Sequence, residues 1–375
     1  FETFILKSFS DYSPVDERFE SLFNSYYNSV GQPFPRHRRG LLSRPTVGQT
    51  ITYRRRVDEA IERVSERISA DENLLSVMET GLNHEQQHQE LMWTDIKHVL
   101  SCNPMDVSMF LTPPPASHAI EHDFVMLPQS IQQIGHCGDG FCFDNETPRH
   151  RVLLPEVSMG NRLITNGEYL EFVTEGGYAR PEFWLSLGWS WVQDSGAVAP
   201  LYWQNRHGTW MNYTLSGIQP IDLDAPVSHL TYVEADAYAR YRSITDKQAI
   251  RLPTEFEWET FALDREVHDP VDPFDCGHGP HPVFSNPDSQ SDVAGLYGSV
   301  WQWTSSSYSP YPGYRPPDGA LGEYNGKFMC NQYVLRGSSC ATSAGHARLT
   351  YRNFFPYDAQ WQYTGLRLAR DESRR

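Results

Sequence analysis

Three consecutive prolines, Pro113-Pro114-Pro115, divide this 375-residue chain into two stretches of different texture. Such a run cannot enter a helix or a central strand, so residues 112–117 are predicted to be a stiff, extended linker. Before it, apolar residues recur at helical spacing in segments 15–29, 46–69 and 71–100, and residues 1–7 read as the middle of an amphipathic helix. A loop over 31–45, broken by Pro33, Pro35 and Gly40, separates the first two segments, and the second opens at a cap-like Arg44-Pro45-Thr46. These segments predict a small helical bundle. After the linker Gly, Pro, Trp and Tyr dominate, strands are short, and two stretches read as helices. They are 166–175 and 232–242, each behind a threonine cap, Thr165 and Thr231. The fold class predicted for the whole is α+β, with long, ordered, aromatic-rich loops in the second part. The domain line is placed between 1–117 and 118–375.

An apolar fraction of 39% and an aromatic fraction of 13% suffice for a sizeable core. The net charge of −16 excludes a general polyanion binder, so no nucleic-acid partner is expected. The one basic run, Arg36-His37-Arg38-Arg39 with Arg44, is local and reads as capping, packing or holding a carboxylate. Six cysteines without a C-x-x-C pattern predict free thiols; Cys137 and Cys142, close together in a Gly-rich loop, leave a disulfide or a metal pair as alternatives. No apolar run approaches 18 residues and no signal peptide is visible, so no membrane association and a cytoplasmic location are expected, with no obligate protein partner. Residue 1 is Phe rather than Met, and the expectation is that the natural start is missing.

The stretch that bears most on function is His84-Glu85-Gln86-Gln87-His88-Gln89-Glu90. Its flanks carry an apolar stripe (Leu74, Leu75, Met78, Leu82, Leu91, Ile96, Val99) with no proline between Ala70 and Asn103, so it lies on a helix. Histidines four apart then share one face, one turn apart, and both can reach a single metal ion. The same letters match the H-E-x-x-H of zinc proteases, in which Glu85 would be the general base. That reading lacks its third ligand: Leu91 and Thr94 stand where a metzincin has Gly and His, and His98 lies about 15 Å further along the axis. Two surface histidines on a soluble helix are the bland alternative.

The second part resembles the formylglycine-generating-enzyme-like, sulfatase-modifying-factor domain, a variant of the C-type lectin fold. The resemblance rests on Asp144-Asn145-Glu146-Thr147-Pro148-Arg149-His150, Thr165-Asn166-Gly167-Glu168-Tyr169, Pro226-Val227-Ser228-His229, Glu234-Ala235-Asp236-Ala237-Tyr238-Ala239, Arg251-Leu252-Pro253-Thr254-Glu255-Phe256-Glu257-Trp258-Glu259, Gly298-Ser299-Val300-Trp301-Gln302-Trp303-Thr304, Val334-Leu335-Arg336-Gly337-Ser338-Ser339 and Gly365-Leu366-Arg367, in family order over about 250 residues. The first part looks like a DinB-like helical bundle. With Asn83-His84-Glu85-Gln86-Gln87-His88-Gln89-Glu90-Leu91 and Asp95-Ile96-Lys97-His98, the combination resembles the iron-dependent sulfoxide synthases of ergothioneine biosynthesis. Formylglycine-generating enzyme itself is the rival on fold. It works through two cysteines near its C-terminal end, whereas Cys330 and Cys340 here are ten apart and outside that pattern.

The sulfoxide-synthase resemblance implies a three-histidine Fe(II) site with His84 and His88 as two ligands and the third upstream of residue 1. It implies a reaction joining cysteine, or γ-glutamylcysteine, to C2 of the imidazole of hercynine (Nα-trimethylhistidine), using O2 and giving a sulfoxide. Neutral imidazoles suit Fe(II), and a facial set leaves positions open for both substrates and O2. Gln87, Asn353, Phe354 and Phe355 are the implied hercynine contacts, the aromatic rings facing a quaternary ammonium that cannot donate hydrogen bonds. Core packing is the alternative for both phenylalanines. Tyr27, supported by Tyr26, is the implied proton donor, with Tyr324 as the alternative and plain packing as the bland one. Phe355 and Ala359 stand where relatives that use γ-glutamylcysteine carry Asp and Arg, which favours free cysteine. A non-catalytic small-molecule-binding module on a lectin-like fold is the competing class.

Overall fold

The computed structural model describes residues 1–263, 265–267, 269, 275–284 and 293–372. The chain forms two compact units: Phe1–Glu85 with Asp139–Asp144 and Tyr314–Lys327, and Gln86–Gly138 with Asn145–Gly313 and Phe328–Arg375.

The first unit is built on α1 (Glu17–Phe23), α2 (Val47–Ser69) and the start of α3 (Glu72–Ser101). Asp16 caps α1 by accepting the Arg18 N–H, and a Thr46/Gln49 capping box opens α2. The helical stripe predicted to run to residue 29 stops at Phe23. The side-chain oxygen of Asn24 accepts the N–H groups of Tyr26 (3.2 Å) and Tyr27 (2.9 Å), and that local turn competes successfully with the helix. Residues 1–7 likewise form turns ending in a short 3-10 helix at Leu6–Ser8. Ile5, Leu6 and Phe9 are buried against Val57, Ala60 and Ile68 of α2. Glu2 is buried beside them, its carboxylate accepting the hydroxyls of Tyr12 and Tyr53 and the N–H of Val15. At Gly81 a Cβ would lie 2.7 Å from the Phe1 ring, so a larger residue there would have to displace that ring.

The second unit is α+β. In chain order its strands are β1 (Phe124–Leu127), β2 (Ser130–Ile134), β3 (His150–Leu154), β4 (Val157–Gly160), β5 (Trp203–Arg206), β6 (Thr209–Thr214), β7 (Gly217–Pro220), β8 (Ile250–Arg251), β9 (Trp301–Ser307), β10 (Gln332–Arg336), β11 (Asn353–Pro356), β12 (Thr364–Gly365) and β13 (Ala369–Asp371). They form sheets ordered β1-β4-β13-β8 and β11-β10-β9-β12, a three-stranded β5-β6-β7 meander and a β2-β3 pair. Its own helices are α4 (Asn166–Thr174), α5 (Ser186–Ser195), α6 (Tyr232–Asp246) and α7 (Glu255–Ala262). Capping boxes start α4, α6 and α7. The periodicity predicted α4 and α6. It misses α5, which starts at Leu185 without a side-chain cap, and α7, whose eight residues are buried at Glu255, Glu257, Trp258, Glu259 and Phe261 and so show no polar face.

The second half of α3 belongs to this unit. Trp93 packs with Leu215, Cys340, Ala341 and Tyr363. One turn on, the buried Lys97 places Nζ 2.8 Å from His229 Nε2 and within 5 Å of the Tyr202 and Tyr363 ring centres. Burial pushes the Lys97 ammonium down to about 7, and burial with the Lys97 charge pushes His229 well below its ordinary value. Both groups bind protons more readily in the unfolded chain, so stability should fall as pH drops below the ordinary histidine range and rise from about pH 7 toward 10. The lysine proton contributes at most about 1.4 kcal/mol per pH unit. Urea midpoints of the protein and of Lys97→Met should diverge between pH 7 and 9, the variant having the flatter profile; parallel profiles would refute the assignment.

Among the described residues no helix is long and apolar enough to cross a membrane.

Candidate active site

Helix α3 carries His84 and His88 one turn apart, with Gln87 between them. In the first unit the half-buried His84 ring meets the edge of Tyr324, centroids 5.3 Å apart, and Tyr324 packs on Phe143 at 5.5 Å. Glu85 is taken by Arg54, whose two terminal nitrogens hold its two oxygens at 2.7 and 3.0 Å. A carboxylate engaged in this way cannot serve as the base of a zinc protease without breaking a bidentate pair. Among the described residues no group of three or more His, Cys, Asp or Glu side chains is placed to hold a metal ion. Two imidazoles on one helical face nevertheless suit two positions of an Fe(II) centre.

Tyr26 and Tyr27 lie in the Asn24 turn, not on a helix, so the 100° divergence expected of helical neighbours does not apply. Their rings stand 4.4 Å apart and the Tyr26 hydroxyl donates to that of Tyr27 at 3.2 Å. Tyr27 also meets Phe4 edge-on at 5.1 Å, and burial raises its hydroxyl above the ordinary value. The segment that carries Tyr324 clips this turn in place. Glu323 accepts from Asn28 and Ser29, and Lys327 donates to the Tyr26 carbonyl at 2.6 Å while lying over the Tyr26 ring. Arg39 reaches the Asn24 carbonyl at 3.4 Å, and Arg44 lines a groove of about 600 Å³ with Phe19, Leu22 and Phe34.

In the second unit Asn353, Phe354 and Phe355 lie on β11, so Asn353 and Phe355 share one face and Phe354 the other. Phe354 stacks on Tyr308 with centroids 4.0 Å apart and rings 11° from parallel. Phe355 stands edge-on to Trp361 at 6.3 Å, and Ala359 is buried. Gln87 donates from Nε2 to the Tyr351 hydroxyl at 2.6 Å.

Two further groups anchor α3 in this unit. Glu90 is buried and accepts from Trp301 Nε1 (2.7 Å), Ser339 Oγ (2.6 Å) and Thr342 Oγ1 (2.8 Å). Burial raises its pKa even against those three donors. His346 joins Gln86 to Tyr351, at 3.1 and 3.2 Å. Neither anchor follows from the residues alone, because Glu90 and Gln86 lie more than 200 positions from the groups they meet. The sequence signal was that Glu90, Trp301 and Ser339 each fall within a recognisable motif.

Residues 112–266 and 275–372 match the model of the sulfatase-modifying factor enzyme 1-like domain, and the chain belongs to that family. A hercynine oxygenase of Mycolicibacterium smegmatis is 30% identical over 312 residues, covering 77% of this chain and 70% of that protein. A hercynine oxygenase of Mycobacterium tuberculosis is 34% identical over 247 residues, covering 61% and 56%. Ergothioneine biosynthesis protein 1 of Schizosaccharomyces pombe is 26% identical over 242 residues, covering 62% of this chain and 28% of its own length. Within the family, then, this is an ergothioneine sulfoxide synthase-like protein.

Proposed function

We propose that the protein is an enzyme of ergothioneine biosynthesis that joins cysteine to C2 of the imidazole of hercynine and oxidises the sulfur to a sulfoxide, with Fe(II) and O2. The observation that carries this is the similarity to hercynine oxygenases, which extends beyond the matched domain to 77% of the chain. In this reading 1–117 is a DinB-like bundle, 118–375 the formylglycine-generating-enzyme-like domain, and the enzyme works in the cytoplasm. The reaction balances: the C2 hydrogen and the thiol hydrogen leave with one oxygen atom as water, and the other oxygen atom stays on sulfur.

His84 and His88 would hold the iron, which when bound supplies the O2 activation that redox-silent zinc does not. Gln87 and Asn353 orient hercynine, and the exposed part of Phe355 offers an apolar face to its trimethylammonium group. Phe354, stacked on Tyr308, supports the strand from the other side. Uptake of O2 by anaerobically prepared, Fe(II)-loaded protein should require both hercynine and cysteine. Uptake indifferent to both would leave only a binding module.

A tyrosine hydroxyl supplies the proton that O2 reduction needs. The ring contact with His84 favours Tyr324, with Tyr27 and Tyr26 next. Tyr324→Phe removes only the hydroxyl and should slow sulfoxide formation about 100-fold, or divert the enzyme to oxidising the thiol alone, with little change in substrate affinity. Product ratios by mass spectrometry check this; an unchanged ratio there and a changed one in Tyr27→Phe would move the role to Tyr27.

Cysteine is the preferred thiol. Neither Phe355 nor Ala359 offers charge to the extra carboxylate of γ-glutamylcysteine, and an unpaired charged group costs about 1.5–3 kcal/mol. Competing the two thiols in one reaction should show roughly 10- to 100-fold selectivity for cysteine. Equal consumption would point to Arg38, Arg39 or Arg44 as the missing counter-charge.

A further inference from the structure

Tyr324, whose ring meets His84, sits between two short 3-10 helices, Gly319–Glu323 and Gly326–Phe328. Such turns have poor hydrogen-bond geometry and little stability of their own, so side-chain anchors beside them matter for where a residue sits. The residue before Tyr324 and the residue after it are both anchored within the first unit. Glu323 Oε1 accepts the Ser29 N–H at 2.9 Å and the Ser29 hydroxyl at 2.6 Å, and Oε2 accepts the Asn28 N–H at 3.0 Å. On the other side, Asn325 Nδ2 donates to Asp144 Oδ1 at 2.6 Å, and the same carboxylate takes the Tyr314 hydroxyl at 2.6 Å. Tyr324 and Asn325 are buried.

Glu323 differs from an ordinary surface carboxylate in what it grips. Its two oxygens hold two successive backbone N–H groups of one turn. The Ser29 hydroxyl first, then the N–H groups of Ser29 and Asn28 and the Lys327 ammonium, hold its carboxyl down to about 2, so it is an anion at neutral pH. The turn is the one that Asn24 closes and that carries Tyr26 and Tyr27. Lys327, four residues on and 3.1 Å from Glu323, donates to the Tyr26 carbonyl of the same turn. One carboxylate thus joins the backbone beside Tyr324 to the backbone beside Tyr27. A hydroxyl that delivers a proton has to be well placed, because a misplacement of about 1 Å can cost about 100-fold in rate.

We infer that Glu323 is a positioning residue that fixes Tyr324 beside His84 and locks the Tyr26–Tyr27 turn to it, with Asn325 as the second anchor. The part played by Tyr324 as proton donor rests on the functional reading above; the clip between Glu323 and the turn does not.

Two kinds of measurement on the full chain test it. Amide hydrogen exchange at Asn28 and Ser29 should be at least about 10-fold faster in Glu323→Ala, with α2 and α3 unchanged. Unchanged exchange there would overturn the clip whatever the activity. In the Fe(II)-loaded protein, Glu323→Ala should slow sulfoxide formation about 10-fold and raise the share of oxidised thiol, with KM for hercynine and cysteine unchanged. Glu323→Gln keeps one acceptor oxygen and should restore part of the rate; Asn325→Ala should shift the product ratio in the same direction as Glu323→Ala. In a Tyr324→Phe background, Glu323→Ala should add nothing to the shift in product ratio, because it acts through the missing hydroxyl. A further shift in that background, or a raised KM with the ratio unchanged, would overturn the positioning role. If the unsubstituted protein forms no sulfoxide while exchange at Asn28 and Ser29 depends on Glu323, the functional reading falls and the role through Tyr324 with it, and the clip stands.

Discussion

Replacing His84 or His88 with Ala is expected to abolish stoichiometric iron binding and, with it, sulfoxide formation. Two imidazoles on one helical face contribute a large share of any facial set, and an ion held by the remaining donors would exchange readily. Loss even of an outer partner of a metal ligand costs about 10- to 100-fold in affinity, so loss of a ligand should cost at least about 100-fold. Both positions lie on the surface of α3, His84 half-buried and His88 exposed, so the substitutions should leave the helix intact. Metal analysis after Fe(II) loading, beside a circular-dichroism check of folding, gives the answer. Iron retained by either variant, or found on His98 or His37, would refute the assignment.

The largest expected effect on stability comes from Glu255 at the start of α7. Its carboxylate accepts from Arg352 Nε (2.8 Å) and Nη2 (2.9 Å), lies 3.3 Å from Arg336 Nη2, and takes the Tyr311 hydroxyl at 3.2 Å. Burial works against the charge, but Arg352 and Arg336 hold the carboxyl below its usual range. Its contribution is therefore present at neutral pH and lost as acid protonates the group. Glu255→Ala leaves Arg352 buried without its carboxylate, at a cost of about 3–5 kcal/mol, or roughly 10 °C in Tm for a unit of this size. Arg336 keeps Glu259 at 2.6 Å; Glu259→Ala leaves it only the longer contact with Glu255 at 3.3 Å and should also destabilise. A loss below about 1 kcal/mol in Glu255→Ala, by urea denaturation, would mean that water reaches the pair.

These residues also show what could be read from the chain. That His84 and His88 stand one turn apart on one helix was legible because a spacing of four fixes that geometry locally. α2 and the threonine-capped α4 and α6 were legible for the same local reason. Glu255 stood in a recognisable motif, but its partners, 81 and 97 positions away, come from folding and not from pattern. The Asn24 turn was missed because an apolar stripe continued past a residue whose side chain offers the backbone a better partner. That one turn changed the geometry of Tyr26 and Tyr27. The contact between His84 and Tyr324 brings together residues 240 positions apart, so the sequence offered Tyr324 only by analogy. Phe354 shows the opposite case: a ring that suits a cation was found stacked on Tyr308.

A carbon–sulfur bond formed on hercynine with oxygen as the oxidant leaves a signature in the product. The most direct measurement is mass spectrometry of the product made under oxygen-18 gas from hercynine, cysteine and the Fe(II)-loaded protein. The expected product is a hercynine–cysteine adduct carrying one labelled oxygen on sulfur. Hercynine recovered unchanged while the same preparation consumes oxygen would contradict it.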